Sequence, residues 1–255
     1  MQPALVIIAR DEERHIAGCL ASVRGLSSEI LLLLDSRTRD RTAALATAGG
    51  AQVLVEPWRG FPAQRNYAMD RCQSPWVLFI DADERITPEL AAEIHALPED
   101  GPIVGYRLPR HNLFFGQALR GGGWYPDYQL RLLRRSAARY DEQRLVHEYA
   151  ELDGPSAPLY GHLMHHNIET LAELWAKQSR YALAEARTLA LTGRRMRWRN
   201  LLGAPAREFW RRYLLLGGWR DGALGFMLCA TMAWHEVVKF LFLASLTARD
   251  VPPSS

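Results

Sequence analysis

The sequence predicts an α/β fold, with a doubly wound, mostly parallel sheet and a helical C-terminal region. Three observations carry this. Short, fully apolar runs recur through the first 80 residues, and segments of helical spacing separate them. Past residue 168 the strand pattern stops and long helical patterns take over. At 255 residues and 48% hydrophobic content the chain can bury a full core.

The elements follow in order. Residues 4–9 are an apolar run, read as a buried strand. Residues 11–25 place Ile16, Cys19, Leu20 and Val23 at helical spacing. Residues 30–34 are a second apolar run ending in Asp35, and residues 39–48 are an Ala- and Thr-rich helix stopped by Gly49-Gly50. Residues 53–55 form a short third strand, and residues 62–71 a helix with Pro62 near its start. Residues 76–80 are a fourth strand, ending in Asp81-Ala82-Asp83, and Thr87 caps a helix over 88–97. Strand and helix in alternation imply parallel pairing. Residues 105–112 and 128–134 read as further strands, on either side of Gly121-Gly122-Gly123. The expected division is 1–168, comprising a first half to residue 100 and a second half over 101–168, then 169–255.

Composition narrows the classes. The net charge of +3 is modest, and of 31 basic residues only Lys177 and Lys239 are lysines. Cys19, Cys72 and Cys229 are far apart and form no CxxC, so neither a zinc ribbon nor a disulfide framework is indicated. No GxGxxG follows the first strand and no HExxH is present, which speaks against a dinucleotide oxidoreductase and a His-based metallohydrolase. The apolar run at 4–9 is too short for a signal peptide and meets Arg10-Asp11-Glu12-Glu13 at once, so a cytosolic location is expected.

In doubly wound sheets ligands bind beyond the carboxyl ends of the strands, where Asp35 and Asp81 stand. An aspartate there either caps the next turn or serves a ligand. The Asp81/Asp83 pair fits the second use. Breaking a sugar–diphosphate bond creates an anionic leaving group, and Mg²⁺ or Mn²⁺ held by one or two carboxylates offsets that charge.

Four segments resemble the inverting family 2 glycosyltransferases, which have the GT-A fold. They are Ile7 to Glu13 with Cys19 to Val23, Leu34 to Thr42, Gln64 to Ala68, and Phe79-Ile80-Asp81-Ala82-Asp83-Glu84. Gly123-Trp124-Tyr125-Pro126-Asp127 through Leu132, Val146-His147-Glu148, and Tyr213…Gly217-Gly218…Asp221-Gly222…Gly225 are similar to the lipopolysaccharide core glucosyltransferase subgroup. The resemblance implies a nucleotide-sugar donor bound by Asp11, Glu12, Asp35, Arg65 and Asp81, with Asp35 on the uracil and Asp81 on the ribose. It implies a metal held by Asp83 and His165. It also implies an acceptor side of Trp124, Arg131 and His147, and a general base at Glu148 or Asp127. The chain departs from the pattern at Asp11, where Asn is usual, and at Arg37, Arg39 and Arg41. A polyprenyl-phosphate sugar synthase and a non-catalytic sugar-nucleotide-binding module are the alternatives.

Residues 169–192 are amphipathic. Residues 194–220 carry eight arginines against Glu208 alone, interleaved with Trp198, Trp210 and Trp219. No nucleic-acid module accompanies them, so a membrane surface is the expected partner rather than nucleic acid. Residues 223–246 are long and apolar but hold His235, Glu236 and Lys239, which suggests a helix lying on the cytosolic face of an inner membrane; a buried core helix or dimer contact is the other reading.

Overall fold

The computed structural model describes residues 1–142 and 150–249. They form two compact units, one of residues 1–111 with 127–142 and 150–165, the other of 112–126 with 166–249. Residues 112–126 fall in the second unit with the helical region.

In chain order the elements are β1 (Ala4–Ala9), α1 (Ile16–Ser22), β2 (Ile30–Asp35), α2 (Thr42–Ala48), β3 (Gln52–Glu56) and α3 (Phe61–Met69). Next come β4 (Trp76–Ile80), β5 (Glu84–Ile86), α4 (Pro88–Ala96), β6 (Gly105–Phe114), β7 (Gln117–Ala118) and β8 (Asp127–Arg134). The chain closes with β9 (Ala138–Tyr140), β10 (Ala150–Leu152), β11 (Ser156–Pro158), β12 (Leu163–Ile168), α5 (Leu171–Leu191), α6 (Asn200–Trp210) and α7 (Gly222–Arg249).

The main sheet runs β3-β2-β1-β4-β8-β6-β12-β5. Its first four strands are parallel, and β8 then pairs antiparallel to β4. β1 and β4 are apolar on both faces because both faces are covered. On one face Leu5, Ile7, Leu32, Leu78 and Ile80 pack against Ile16 and Leu20 of α1 and Leu90 of α4. On the other, Val6, Leu33, Val77 and Phe79 meet Ala68 and Met69 of α3. Each such buried side chain stabilises the fold by about 1.5–3 kcal/mol.

The second unit has its own core, built from Phe114, Leu119, Ile168, Leu174, Leu228 and Met232. Thr170 and Glu173 form a reciprocal cap at the start of α5. Asp221 accepts hydrogen bonds from the backbone N–H groups of Arg120 (2.8 Å) and Gly121 (3.0 Å) and so clamps the Gly-rich loop. A Cβ on Gly121 would sit 2.1 Å from the Gly217 carbonyl oxygen, and one on Gly225 2.0 Å from that of Gly218. The Gly217…Gly225 motif is thereby explained as a close-packing device around that loop.

Candidate functional site

Three loops meet where β1, β2 and β4 end. The helical pattern expected from residue 11 does not begin until Ile16 because the intervening turn is tied to the β2–α2 loop. Asp11, with φ +53°, accepts from the Arg39 N–H (2.8 Å). The Glu12 N–H donates to Thr42 Oγ1 (2.7 Å), and the Glu13 N–H to Asp40 Oδ2 (2.9 Å). Asp and Asn tolerate a left-handed φ better than most residues, which is why an acid suffices at position 11 where the resemblance has Asn.

Beside these loops lies a cavity of about 360 Å³, lined in part by Arg10, Glu12, Asp35, Arg37, Trp58 and Phe61. Trp58 and Phe61 meet edge to face, 4.6 Å between ring centres, and both are exposed. Asp35 is buried and its carboxylate is already engaged. Arg37 donates to it from Nε (3.0 Å), from Nη2 (2.6 Å) and from its own backbone N–H (2.9 Å). These hydrogen bonds hold the carboxyl down at about 2. Sequence reasoning noticed Arg37 but not this lock.

At the end of β4 the chain turns tightly, the Glu84 N–H donating to the Asp81 carbonyl (3.0 Å). Glu84 is fully buried and accepts from the Asp81 N–H (2.8 Å) and from Arg131 Nη2 (3.1 Å). Arg131, itself buried, also reaches Asp81 Oδ2 at 2.5 Å. Burial pushes the Glu84 carboxyl up despite this partner. Arg131, expected on the acceptor side, therefore spans Asp81 and Glu84. Glu84 was not among the expected site residues, although its place directly after Asp81-Ala82-Asp83 was a usable signal.

β5 pairs with β12 so that His165 lies opposite Glu84. This brings His165 Nε2 to 3.3 Å from Asp83 Oδ2. Half-buried Glu12 is pushed up to about 7, first by burial and then by Asp83 and Asp81. Carboxylates so crowded present a local negative potential that suits a divalent cation. Among the described residues no three His, Cys, Asp or Glu side chains are gathered as a ready ligand set. One carboxylate and one imidazole match an ion that takes its remaining ligands from substrate phosphates and water.

A second cavity, of about 730 Å³, is lined by Arg65, Asp81, Arg107, Arg110, Asp127 and Arg131 among others. Arg65 lies over the rings of Phe61, Phe79 and Tyr140 at 5.1–6.0 Å. Asp127 opens β8; its Oδ2 accepts from Arg110 Nε (2.8 Å) and Nη2 (2.7 Å), and its Oδ1 from Gln129 (2.6 Å). Trp124 belongs to the second unit, where its ring packs on Phe114 and under the Arg212 guanidinium. His147 and Glu148 lie outside the described residues.

With this geometry in view, the relatives are informative. Residues 4–146 match the glycosyl transferase family 2 profile. The lipopolysaccharide core biosynthesis glycosyltransferase LpsC of Rhizobium meliloti (strain 1021) is 32% identical over 252 residues, covering 95% of this chain and 91% of that protein. An uncharacterized glycosyltransferase of Rickettsia typhi is 40% identical over 263 residues, covering 96% and 88%. A mannosyltransferase from Pyrobaculum calidifontis, solved in complex with GDP-Man and Mn2+, superposes with a TM-score of 0.54 at 12% identity over 95% of this chain and 86% of that one. The chain is a glycosyltransferase of family 2 and has the GT-A fold, followed by an apolar C-terminal helix.

Proposed function

We propose that this chain is an inverting hexosyltransferase that moves glucose from UDP-glucose onto a lipopolysaccharide inner-core or related lipid-linked acceptor. The observation that carries it is the convergence of Asp81, Asp83 and His165 at the end of β4, in the same unit as two cavities of nucleotide and sugar size. The lipopolysaccharide assignment draws on the likeness to LpsC.

The donor base enters the cavity walled by Trp58 and Phe61, and Asp35 and Arg37 meet its polar edge. Asp81, fixed by Arg131, meets the ribose, and Arg65 lends positive charge near the diphosphate. A bound Mg²⁺ or Mn²⁺, held by Asp83 and His165, would supply charge to stabilise the departing diphosphate. The acceptor hydroxyl gives its proton to a carboxylate as its oxygen attacks the anomeric carbon in line; the bond to the diphosphate oxygen breaks and UDP leaves with the electron pair. Glu148 is the proposed base. Asp127 is the weaker choice because Arg110 and Gln129 already engage both of its oxygens.

The proposed location of this chemistry is the cytosolic face of a bacterial inner membrane, and features of the second unit support that reading. One stretch of it, 218–246, is long and apolar enough to cross a bilayer by length and composition. Lys239 in that stretch is paired with Glu236 and Glu185, and Trp198, Trp210 and Trp219 are exposed. Paired charges and surface tryptophans fit a helix lying in the interface.

The test is nucleotide release from UDP-glucose, other UDP-sugars and GDP-mannose, with and without Mn²⁺ or Mg²⁺ and core oligosaccharide acceptor. Metal-dependent turnover of one donor is expected, reduced about a hundredfold or more in Asp83→Ala, since metal stabilisation amounts to several kcal/mol. Turnover of none of these donors would defeat the assignment.

A further inference from the structure

The second unit contains a cavity that the transfer chemistry does not use. It has a volume of about 590 Å³ and lies where the C-terminal end of α5, the loop after it and α7 meet. Arg194, Arg195, Arg197 and Arg199 line it, and none of its lining residues is acidic. Among the described residues none of these four guanidinium groups makes an ion pair. This contrasts with Arg37, Arg110, Arg131, Arg139, Arg211 and Arg212, each of which is matched to a carboxylate. Four like charges converging without a counter-ion among the described residues repel one another, and an anion relieves that cost.

The floor is of opposite character. Phe240 of α7 and Leu189 of α5, both half-buried, present apolar surface to the same cavity, and buried Leu243 also lines it. Trp198, 76% exposed, stands in the arginine loop itself, and Leu191 and Leu202, on either side of it in sequence, are also exposed. A free inorganic anion would gain nothing from such a floor. A phosphate ester joined to an acyl chain satisfies both parts, the guanidinium forks taking the phosphate oxygens and the floor taking the first methylenes.

We propose that this cavity binds the phosphate headgroup of an anionic membrane lipid, with Arg194, Arg195, Arg197 and Arg199 on the phosphate and Phe240 and Leu189 on the start of the acyl chain. The proposal rests on the membrane-surface reading of the second unit and makes it specific: the protein is held by a seated lipid as well as by diffuse attraction.

The experiment uses the full chain. Co-sedimentation is measured with vesicles of phosphatidylcholine alone and of phosphatidylcholine mixed with phosphatidylglycerol. Binding of monomeric short-chain phosphatidylglycerol and of inorganic phosphate is measured alongside. Wild type is expected to favour the mixed vesicles and to take up short-chain lipid at one to one, far more tightly than phosphate. In the variant carrying Arg→Gln at all four positions, affinity for the mixed vesicles should fall about fivefold per arginine removed. Phe240→Asp should abolish short-chain lipid uptake with every arginine in place. All four arginines are exposed, so their replacement leaves the core intact, and an unchanged circular-dichroism melt verifies this. If the arginine variant binds mixed vesicles as tightly as wild type, the site does not exist although the membrane reading stands. If phosphate binds as tightly as the lipid, the site is for an anion and not a lipid. If wild type binds neither vesicle, the membrane reading itself falls.

Discussion

At the scale of single residues, two arginines decide how carboxylates of the candidate site are presented. Arg131 is buried and serves Asp81 and Glu84 together. Its removal leaves the fully buried Glu84 carboxyl with only the more distant Arg110 guanidinium (3.6 Å) as a charged partner, and breaking a buried pair from one side costs about 3–5 kcal/mol, an upper bound here. Arg131→Met should therefore lose up to that much in urea unfolding. Adding Glu84→Gln should restore much of the loss, because the stranded charge is gone; strictly additive losses would mean that the two are not coupled. Arg37 has a different effect, since it holds Asp35 at about 2 against an ordinary 3.8. A carboxyl whose folded value is depressed adds stability above its unfolded value, and that contribution fades as pH falls from about 4 towards 2. In Arg37→Met the Asp35 carboxyl, followed by NMR, should titrate higher than in wild type, and this acid-dependent contribution should shrink.

At the scale of elements, what the sequence reveals follows from how local each cause is. β1, β2 and β4 were legible because burial on both faces writes an apolar run into contiguous residues. The cap at Thr87 was legible because Thr followed by Pro is a local signal, and its Oγ1 does accept from the Leu90 N–H (3.3 Å). The start of α1 was not, because bonds to residues 39–42 hold 11–13 out of the helix. Asp83 stands in the Asp81-Ala82-Asp83 motif and His165 was named only through the family resemblance; their meeting depends on β5, a three-residue strand with too little pattern to read. The role of Arg131 was hidden because its partners lie 47 and 50 residues away. The Gly-rich loop makes the same point in the second unit, where Asp221 holds it from 100 residues off. Asp221→Ala leaves two backbone N–H groups unpaired and should cost the second unit about 1–3 kcal/mol by thermal melting. Thr170→Ala, which removes the cap of α5, should cost about 1 kcal/mol.

At the scale of the whole molecule, each unit has a core of its own. The clusters that bury the sheet lie entirely within residues of the first unit, and the cluster around Phe114, Leu174 and Leu228 entirely within the second. Units with separate cores open with separate free energies. The three cysteines are placed to report this, since all are buried, Cys19 and Cys72 in the first unit and Cys229 in the second. Burial pushes the thiols of Cys19 and Cys72 up to about 12 and that of Cys229 up to about 11, so none forms thiolate at neutral pH while its unit is folded. Pulsed alkylation along a urea gradient, read by mass spectrometry, should therefore label Cys19 and Cys72 at one midpoint and Cys229 at another. Asp221→Ala should lower the Cys229 midpoint and leave the other two in place, whereas Arg131→Met should do the reverse. A single midpoint for all three thiols, shifted equally by both substitutions, would show that the units unfold as one body and that their separate cores do not give separate stabilities.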